Sequence, residues 1–195
     1  MEEGQLKIQR PYPRTVSLEN NTPFNLRLMI PADSHRIVTF ARSLPEDDLL
    51  FLRTDITKAF VVMLWGQNIK AGLTVTVLAE HEQEVVGYAS MHHNEVTWQR
   101  HLGELRVQVG PRYRSKGLGR ALAAEIFAIA REMGLRKIVA HMTPDQQGAI
   151  ATVKRYGFEQ EALLRDFVID RVGRTRDLMV MTCDVARLAD RVEAI

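Results

Sequence analysis

Nine consecutive residues near the middle of the chain have the composition of an anion-binding loop. The segment Arg112–Arg120 reads RYRSKGLGR and carries four basic side chains, two glycines and no acid. Glycine lets the backbone turn so that its N–H groups point inward, and the start of a following helix adds unpaired donors and a positive dipole. The segment therefore predicts a binding site for an anion, most naturally a phosphate group.

Two common phosphate motifs do not fit this loop. A dinucleotide fingerprint needs a third glycine three residues after Gly119 and an acid about 20 residues further on. The chain has Leu122 at the first of these positions and no acid near the second. A P-loop would begin at Gly110 and end in Gly-Lys-Ser/Thr, where the chain has Ser115-Lys116-Gly117. Neither a Rossmann-type site nor a magnesium-nucleotide site is favoured.

The loop lies between a predicted strand and a predicted helix. Alternating side chains indicate a strand over 102–109, and apolar residues at helical spacing indicate a helix that contains Leu122 and ends at Gly134. A further strand over 137–142, a helix over 145–156 and two closing strands over 163–169 and 176–182 follow. The loop is therefore a strand-to-helix turn inside a βαβ unit.

Ahead of this unit the pattern predicts two hairpins separated by helices. The first hairpin turns around Asn20-Asn21, whose side chains tolerate a left-handed backbone. The strands of the first hairpin cover 15–19 and 24–30. Those of the second cover 73–79 and 85–91, with a polar turn over 80–84. Between the two hairpins, one helix follows Pro31–Asp33 and a second helical region runs with a break from Pro45 toward Gly66. This order predicts an α/β fold with a mixed sheet.

The spacing of Arg114, Gly117 and Gly119 at a strand-to-helix turn resembles the GNAT superfamily of acyl-CoA-dependent N-acyltransferases. The surrounding layout agrees with that family: Ala149-Ile150 and Tyr156-Gly157-Phe158 at the next helix, and a final strand pair. The resemblance covers about residues 24–184. It implies the α/β GNAT fold, with a mixed, mostly antiparallel twisted sheet of about six to seven strands and helices on both faces. It also implies one domain over residues 23–195 after an N-terminal extension over 1–22.

The resemblance implies acetyl-CoA as co-substrate. Loop amides would hold its pyrophosphate, main-chain groups of the preceding strand would pair with the pantetheine arm, and Gln146 stands where the family often has an asparagine that contacts this arm. The cofactor-binding residues so predicted are Val107, Gln108, Val109, Arg114, Ser115, Lys116, Gly117, Leu118, Gly119, Arg120 and Gln146. The competing interpretation is a solvated basic turn that caps a helix.

A narrower similarity is to the GNAT domain of bacterial protein-lysine acetyltransferases that modify acyl-CoA synthetases. It is carried by Tyr12-Pro13, Val16-Ser17-Leu18, Leu26-Arg27-Leu28, Pro31-Ala32-Asp33, Leu44-Pro45-Glu46-Asp47 and Leu52-Arg53. In that subgroup a strand glutamate ten positions before the first Gln/Arg of the loop is the general base, and the corresponding residue here is Glu104. The resemblance therefore makes Glu104 the candidate catalytic residue.

A proton acceptor is needed because a lysine-type amine, with a pKa of about 10.4, is mostly charged at neutral pH. Strand alternation places Glu104, Arg106 and Gln108 on one face, opposite Leu105, Val107 and Val109. Glu104 could instead be a surface residue paired with Arg106. His92, His93 and His101 are alternative bases.

The family's usual acid, a tyrosine, is missing. Aligned on Tyr156-Gly157-Phe158, its position is taken by Val153. A thiol has a pKa of about 8.5, so the thiolate leaves tolerably without an acid. Tyr156 is predicted to be a packing residue, and the acids Glu46, Asp47 and Asp48 to stabilise a helix N-terminus.

Composition restricts the remaining functions. The 195 residues carry 26 basic and 24 acidic side chains, a balance that disfavours nucleic-acid binding. The one cysteine, Cys183, permits no intrachain disulfide and no cysteine-built zinc site. The longest apolar run, Phe60–Trp65, is far short of the ~20 residues that span a bilayer. We expect a soluble cytoplasmic protein with no metal and no membrane partner. The sequence is compatible with a homodimer.

The sequence therefore predicts transfer of an acetyl group from acetyl-CoA to a primary amine, with protein lysine slightly favoured over a small-molecule acceptor. Acceptor specificity is expected in the first two helices and in residues 94–103. The alternative is a catalytically degenerate GNAT-fold module that binds or senses acyl-CoA, an interpretation motivated by Val153.

Overall fold

Eight strands form one mixed sheet in the computed structural model, which describes residues 8–18, 21–49, 52, 54–94, 98–170 and 172–187. The spatial order is β1-β2-β3-β4-β5-β6-β8-β7. The strands are β1 (Arg14–Ser17), β2 (Pro23–Leu28), β3 (Thr74–His81), β4 (Glu84–His93), β5 (Leu102–Val109), β6 (Lys137–Met142), β7 (Glu159–Ile169) and β8 (Thr175–Asp184).

Five α-helices connect these strands within the described residues. They are α1 (Ser34–Ser43), α2 (Glu46–Leu49), α3 (Ala59–Lys70), α4 (Leu118–Glu132) and α5 (Gln147–Arg155), with short 3₁₀ turns over Pro31–Asp33 and Pro111–Tyr113. Only β5 and β6 pair in parallel, because α4 crosses from the end of one to the start of the other. The remaining pairs are antiparallel. The mixed, mostly antiparallel sheet is thereby confirmed.

Helices cover both faces of the sheet, as predicted, and each face has its own core. Apolar residues of α4, including Leu122 and Ile126, pack against Val77, Ala89 and Leu105 of the sheet. On the opposite face, α1 and α3 cover the sheet side chains that point away from α4. Ile37 of α1 and Val62 and Trp65 of α3 form a core with Leu78 and Tyr88. The buried sheet residues of this second core come from β3 and β4.

The segment before β2 is bound to the outer side of α4. Glu125, a buried residue of α4, accepts a hydrogen bond from the Tyr12 hydroxyl at 2.9 Å. Its carboxylate also lies 3.0 Å from Arg10 Nε and 3.1 Å from Arg14 Nη1. Burial and the adjacent Glu125 charge raise the pKa of Tyr12 well above its usual value. Residues of the predicted extension therefore contact the core helix, while the boundary between residues 22 and 23 stays a prediction.

Several predicted boundaries differ from those in the structure. The sheet has eight strands rather than six to seven because β1, assigned to the extension, pairs with β2 along its length. The second hairpin turns at Glu82 and Gln83, both with positive φ, so Glu80 belongs to β3. β7 begins at Glu159, four residues earlier than expected, because its ladder with β8 starts at Thr182. The first residues of β7 are polar and exposed at the edge of the sheet, so they show no alternation of apolar and polar side chains from which the start of the strand could be predicted.

Gly87 in β4 is expected to tolerate no side chain. A Cβ at this position would lie 2.9 Å from the Gln108 carbonyl oxygen and 3.2 Å from Leu122 Cδ1. Because the first neighbour is backbone, we expect Gly87→Ala to lower the free energy of unfolding by about 1–3 kcal/mol, measured by urea denaturation. Gly148→Ala in α5 is the matched control, since nothing lies within 4 Å of its Cβ position. Equal stability of the two variants would contradict the close packing of β4 on β5.

Candidate active site

The strands β5 and β6 run together for four residues and then separate. Leu102–Leu105 pairs with Lys137–Ala140, whereas β5 continues to pair with β4 as far as Val109 and β6 with β8 as far as Met142. Over Arg106–Val109 the edge of β5 that faces β6 thus has no strand partner among the described residues. The sheet has an opening in its middle, bordered by an unpaired strand edge.

The basic loop begins where this opening ends. After Pro111–Tyr113 the backbone takes positive φ at Ser115 (59°) and at Gly117 (85°), and α4 starts at the next residue. No side chain caps the helix, and its first intrahelical bond runs from Ala121 N to Gly117 O at 3.0 Å. The N–H groups of Leu118, Gly119 and Arg120 therefore have no intrahelical acceptor. The turn predicted from the two glycines is present, with donors at the mouth of the opening.

Two of the loop's cations are held by the protein itself. Arg114 donates from Nε to the Val109 carbonyl at 3.0 Å and forms an ion pair with Asp48 of α2. Lys116 Nζ lies 5.6 Å above the Tyr113 ring. The backbone carbonyl of Asp48 also accepts from Gln108 Nε2 at 3.2 Å. Asp48 thus connects α2 to both β5 and the loop, a role that its predicted helix-stabilising function did not include.

Gln146, the N-cap residue of α5, lies four residues after the end of β6, the strand on the other side of the opening. Its Oε1 accepts from the Thr143 backbone N–H at 3.0 Å. The Thr143 hydroxyl is fully buried and has no hydrogen-bond partner among the described residues. The Gln146 amide and the Thr143 hydroxyl therefore lie in the segment between β6 and α5. The predicted contact of Gln146 with a ligand stays a prediction.

Side chains alternate along β5 as predicted. Leu105, Val107 and Val109 belong to the core against α4, which leaves Glu104 and Arg106 on the opposite face. Glu104 Oε1 accepts from Arg106 at 3.1 Å (Nη2) and 3.4 Å (Nε). It also lies 3.7 Å from Nδ1 of His141 on β6. The pairing with Arg106, one of the two interpretations of Glu104, is present, and it coexists with exposure of 18% of the glutamate side chain.

His141 is the site residue that sequence reasoning missed. Its partner Glu104 is 37 positions away and belongs to the parallel neighbour strand, so only the register of β5 and β6 could have revealed the contact. The three histidines considered instead have other contacts. His92 hydrogen-bonds to the Thr74 hydroxyl at 3.0 Å, His93 to the Gly72 carbonyl at 2.6 Å, and His101 lines a pocket with Arg136 and Lys137 beside the start of β6.

The position of the family's usual acid is apolar in the structure too. Val153 is buried in the core under α5. Tyr156 is 1% exposed, packs edge-on against Phe127, and donates its hydroxyl proton to the Arg120 carbonyl at 2.9 Å. Burial raises the pKa of Tyr156 to about 12. Tyr156 is confirmed as a packing residue that joins the end of α5 to the start of α4.

Other ligand chemistry finds little support in the described part of the chain. It contains no group of three or more histidine, cysteine or acidic side chains arranged to hold a metal ion. None of its helices has the length and apolar composition needed to cross a membrane. Cys183 is buried in the core. The opening in the sheet and the loop beside it are the features of this fold suited to an elongated anionic ligand.

The chain belongs to the acetyltransferase (GNAT) family, whose model matches residues 40–158. This family uses acetyl-CoA, so the predicted co-substrate is confirmed at the level of the family. The matched region contains α3, the β3–β6 strands, the loop and α5, and the fold class predicted from the resemblance is confirmed with it. No curated protein matches the chain by sequence.

Solved structures with this fold cover most of the chain. A candidate acetyltransferase from Salmonella typhimurium, yncA with its cofactor acetyl-CoA, is 23% identical with a TM-score of 0.72, over 83% of this chain and 94% of that chain. A ribosomal-protein-alanine N-acetyltransferase from Brucella melitensis is 27% identical with a TM-score of 0.70, over 82% and 98%. The GNAT domain of S. lividans PAT is 19% identical with a TM-score of 0.72, over 88% and 96%.

Proposed function

We propose that this acetyltransferase moves the acetyl group of acetyl-CoA to a primary amine, with protein lysine slightly favoured over a small molecule. The observation that carries the proposal is the unpaired edge of β5 over Arg106–Val109, which leads to the free N–H groups at the start of α4. An edge of this kind pairs with an extended amide-containing chain as a missing strand would. The helix start pairs with phosphate.

These two features fit the two chemical parts of acetyl-CoA. The pantetheine arm has amide groups that can continue the ladder of Val107–Val109. The pyrophosphate carries negative charge, which the amides of Ser115–Arg120 and the positive end of the α4 dipole stabilise. Acetyl-CoA supplies an activated acyl group as a thioester. The residues of the protein orient that thioester and accept a proton from the amine.

The acceptor is proposed to approach from the face that carries Glu104. On this face the buried apolar core ends at β4, and beyond it the side chains of His141 on β6 and Glu104 on β5 are 34% and 18% exposed; we call this accessible surface the cleft. The Glu104 carboxylate attracts an ammonium group and assists its loss of a proton. Trp98, which is 86% exposed and belongs to the predicted specificity segment 94–103, offers an apolar contact to a macromolecular acceptor. This exposed indole favours a protein substrate over a small amine.

The alternative remains a module that binds acyl-CoA without turnover. The buried Val153 favours it, because no acid stands near the departing thiolate at the family's usual position. It predicts stabilisation by acetyl-CoA with every amine inert.

The test is release of the CoA thiol, followed with a thiol reagent, when acetyl-CoA is offered with a panel of amines. Lysine-containing proteins and peptides, spermidine and free amino acids form the panel, and the same peptides with acetylated lysines are the matched controls. We expect release only with a free amine, and faster release with protein lysine. Thermal stabilisation without release from any amine would favour the binding module instead.

A further inference from the structure

We propose that His141, oriented by Glu104, is the group that takes the proton from the acceptor amine. Glu104 is then a positioning residue, and this inference rests on the proposed acetyl transfer. The observation that carries it is the approach of His141 Nδ1 to Glu104 Oε1 at 3.7 Å, across the two strands that separate to form the opening.

His141 stands where the opening begins. The last pair of the β5–β6 ladder joins Leu105 to Ala140, and His141 is the next residue of β6. Its contact with Glu104 places its ring on the cleft side of the sheet, opposite the α4 core. The side chain is 34% exposed, whereas Glu104 is 18% exposed. The imidazole is therefore the more accessible of the two groups to an amine that enters the cleft.

Glu104 alone is a poor proton acceptor in this arrangement. The guanidinium of Arg106 donates two N–H groups to the same Oε1, and hydrogen bonds to the charged form of a carboxyl favour that form. Arginine keeps its charge at all ordinary pH values, so Arg106 stabilises the ionised form of Glu104 throughout that range. A histidine side chain, in contrast, changes charge between about pH 5 and 8 and is the commonest general base in proteins.

The orientation of the His141 ring gives its two nitrogens different roles. Nδ1 faces the carboxylate at a distance longer than a hydrogen bond but within ion-pair range. A proton on Nδ1 interacts favourably with Glu104, which leaves the lone pair on Nε2 to accept a proton. Catalytic hydrogen bonds are often long before substrate binds and shorten in the complex. The carboxylate then stabilises the imidazolium that forms.

The proton balance of the reaction has a place for this group. The acceptor enters as an ammonium ion and loses one proton to Nε2 of His141. The nitrogen lone pair then forms the C–N bond to the thioester carbon, and the C–S bond breaks with its electron pair leaving on sulfur. The second proton of the nitrogen goes to the thiolate, which yields the CoA thiol. His141 returns its proton to solvent, to which its side chain is open.

Other charged groups near His141 define what a pH profile would report. The charged and titratable side chains on the surrounding strands include Glu104 and Arg106 on β5, His92 on β4, Glu161 on β7 and Arg176 on β8. His92 is bonded to Thr74, Glu161 to Thr182, and Arg176 lies near Asp145 and Asp170. Besides His141 itself, the histidine among these groups is His92.

The experiment compares His141→Gln with Glu84→Gln, a substitution of an exposed residue at the start of β4. We expect His141→Gln to lower kcat by about 100-fold, to leave the thermal shift with acetyl-CoA unchanged, and to remove the acid limb of the kcat/KM profile. Glu84→Gln should match the wild type. In His141→Ala, added imidazole should restore part of the turnover.

A second readout does not depend on activity. Two-bond ¹H–¹⁵N correlation spectra distinguish the protonated ring nitrogen of a neutral histidine from the other. In the free wild-type protein His141 should carry its proton on Nδ1, and in Glu104→Gln this preference should be lost. The same tautomer mixture in both proteins would overturn the orienting role of Glu104.

Failure of the inference is distinguishable from failure of the proposed function. If the wild type releases CoA thiol and His141→Gln does so at the same rate, His141 is not the proton acceptor while the acetyl transfer stands. If the wild type is stabilised by acetyl-CoA but inert with every amine, the proposed function fails, and the role of His141 fails with it.

Discussion

The Gly117→Glu variant is expected to lose the stabilisation that acetyl-CoA gives to the folded protein. Residue 117 has φ of 85° at the start of α4, a conformation that side chains disfavour. A glutamate there also adds a negative charge where phosphate would bind. With acetyl-CoA at about 100 times its dissociation constant, wild type should gain about 2.7 kcal/mol, or roughly 5–10 °C in Tm for a domain of this size. Differential scanning fluorimetry measures the shift.

The chain offers a matched control for the backbone strain. Gly173, in the turn between β7 and β8, has φ of 83° and open space around its Cβ position. Gly173→Glu should therefore carry the same strain and the same added charge but keep the full shift with acetyl-CoA. An equal shift in Gly117→Glu and the wild type would reduce the loop to a basic helix cap and contradict the cofactor site.

The Glu104→Gln variant is expected to lose turnover by roughly 100- to 1,000-fold. The substitution removes the charge that faces both Arg106 and His141, so the unpaired guanidinium then repels an incoming ammonium group. We expect a lower kcat and a higher KM for the amine, with KM for acetyl-CoA unchanged, measured by steady-state thiol release.

Glu84→Gln is the control for this variant, since Glu84 is an exposed residue at the start of β4 and pairs in the sheet with His81. Its kinetics should equal those of the wild type. Full activity in Glu104→Gln would remove Glu104 from any part in the reaction, whether as base or as positioning residue.

The parts of the molecule that local sequence determines could be predicted. The loop between β5 and α4 could be predicted from glycines and basic residues that lie within nine positions. Helix α4 could be predicted because its apolar residues recur at each helical turn. The faces of β5 follow from strict alternation. In each case the physical cause acts over a few residues, so the sequence pattern contains it.

Features that depend on register or long-range packing could not be predicted. The separation of β5 from β6 after Leu105 is a property of two strands together. The contacts of Asp48 with Arg114 and of His141 with Glu104 join residues 66 and 37 positions apart. No local pattern distinguishes these side chains from solvated ones. The proposed proton acceptor is for this reason visible only in the structure.

The attachment of Glu125 also bears on how the domain is delimited in the laboratory. In the described part of the chain, the side chains that contact this carboxylate are Arg10, Tyr12 and Arg14, and they precede residue 23. A fragment shortened to residues 23–195 would keep the acid in the middle of its longest helix and lose every one of those partners. Removing the partners of a buried charge is among the costliest changes in a protein. Arg10 and Arg14, which lie outside such a fragment, thus act as the counterions of Glu125.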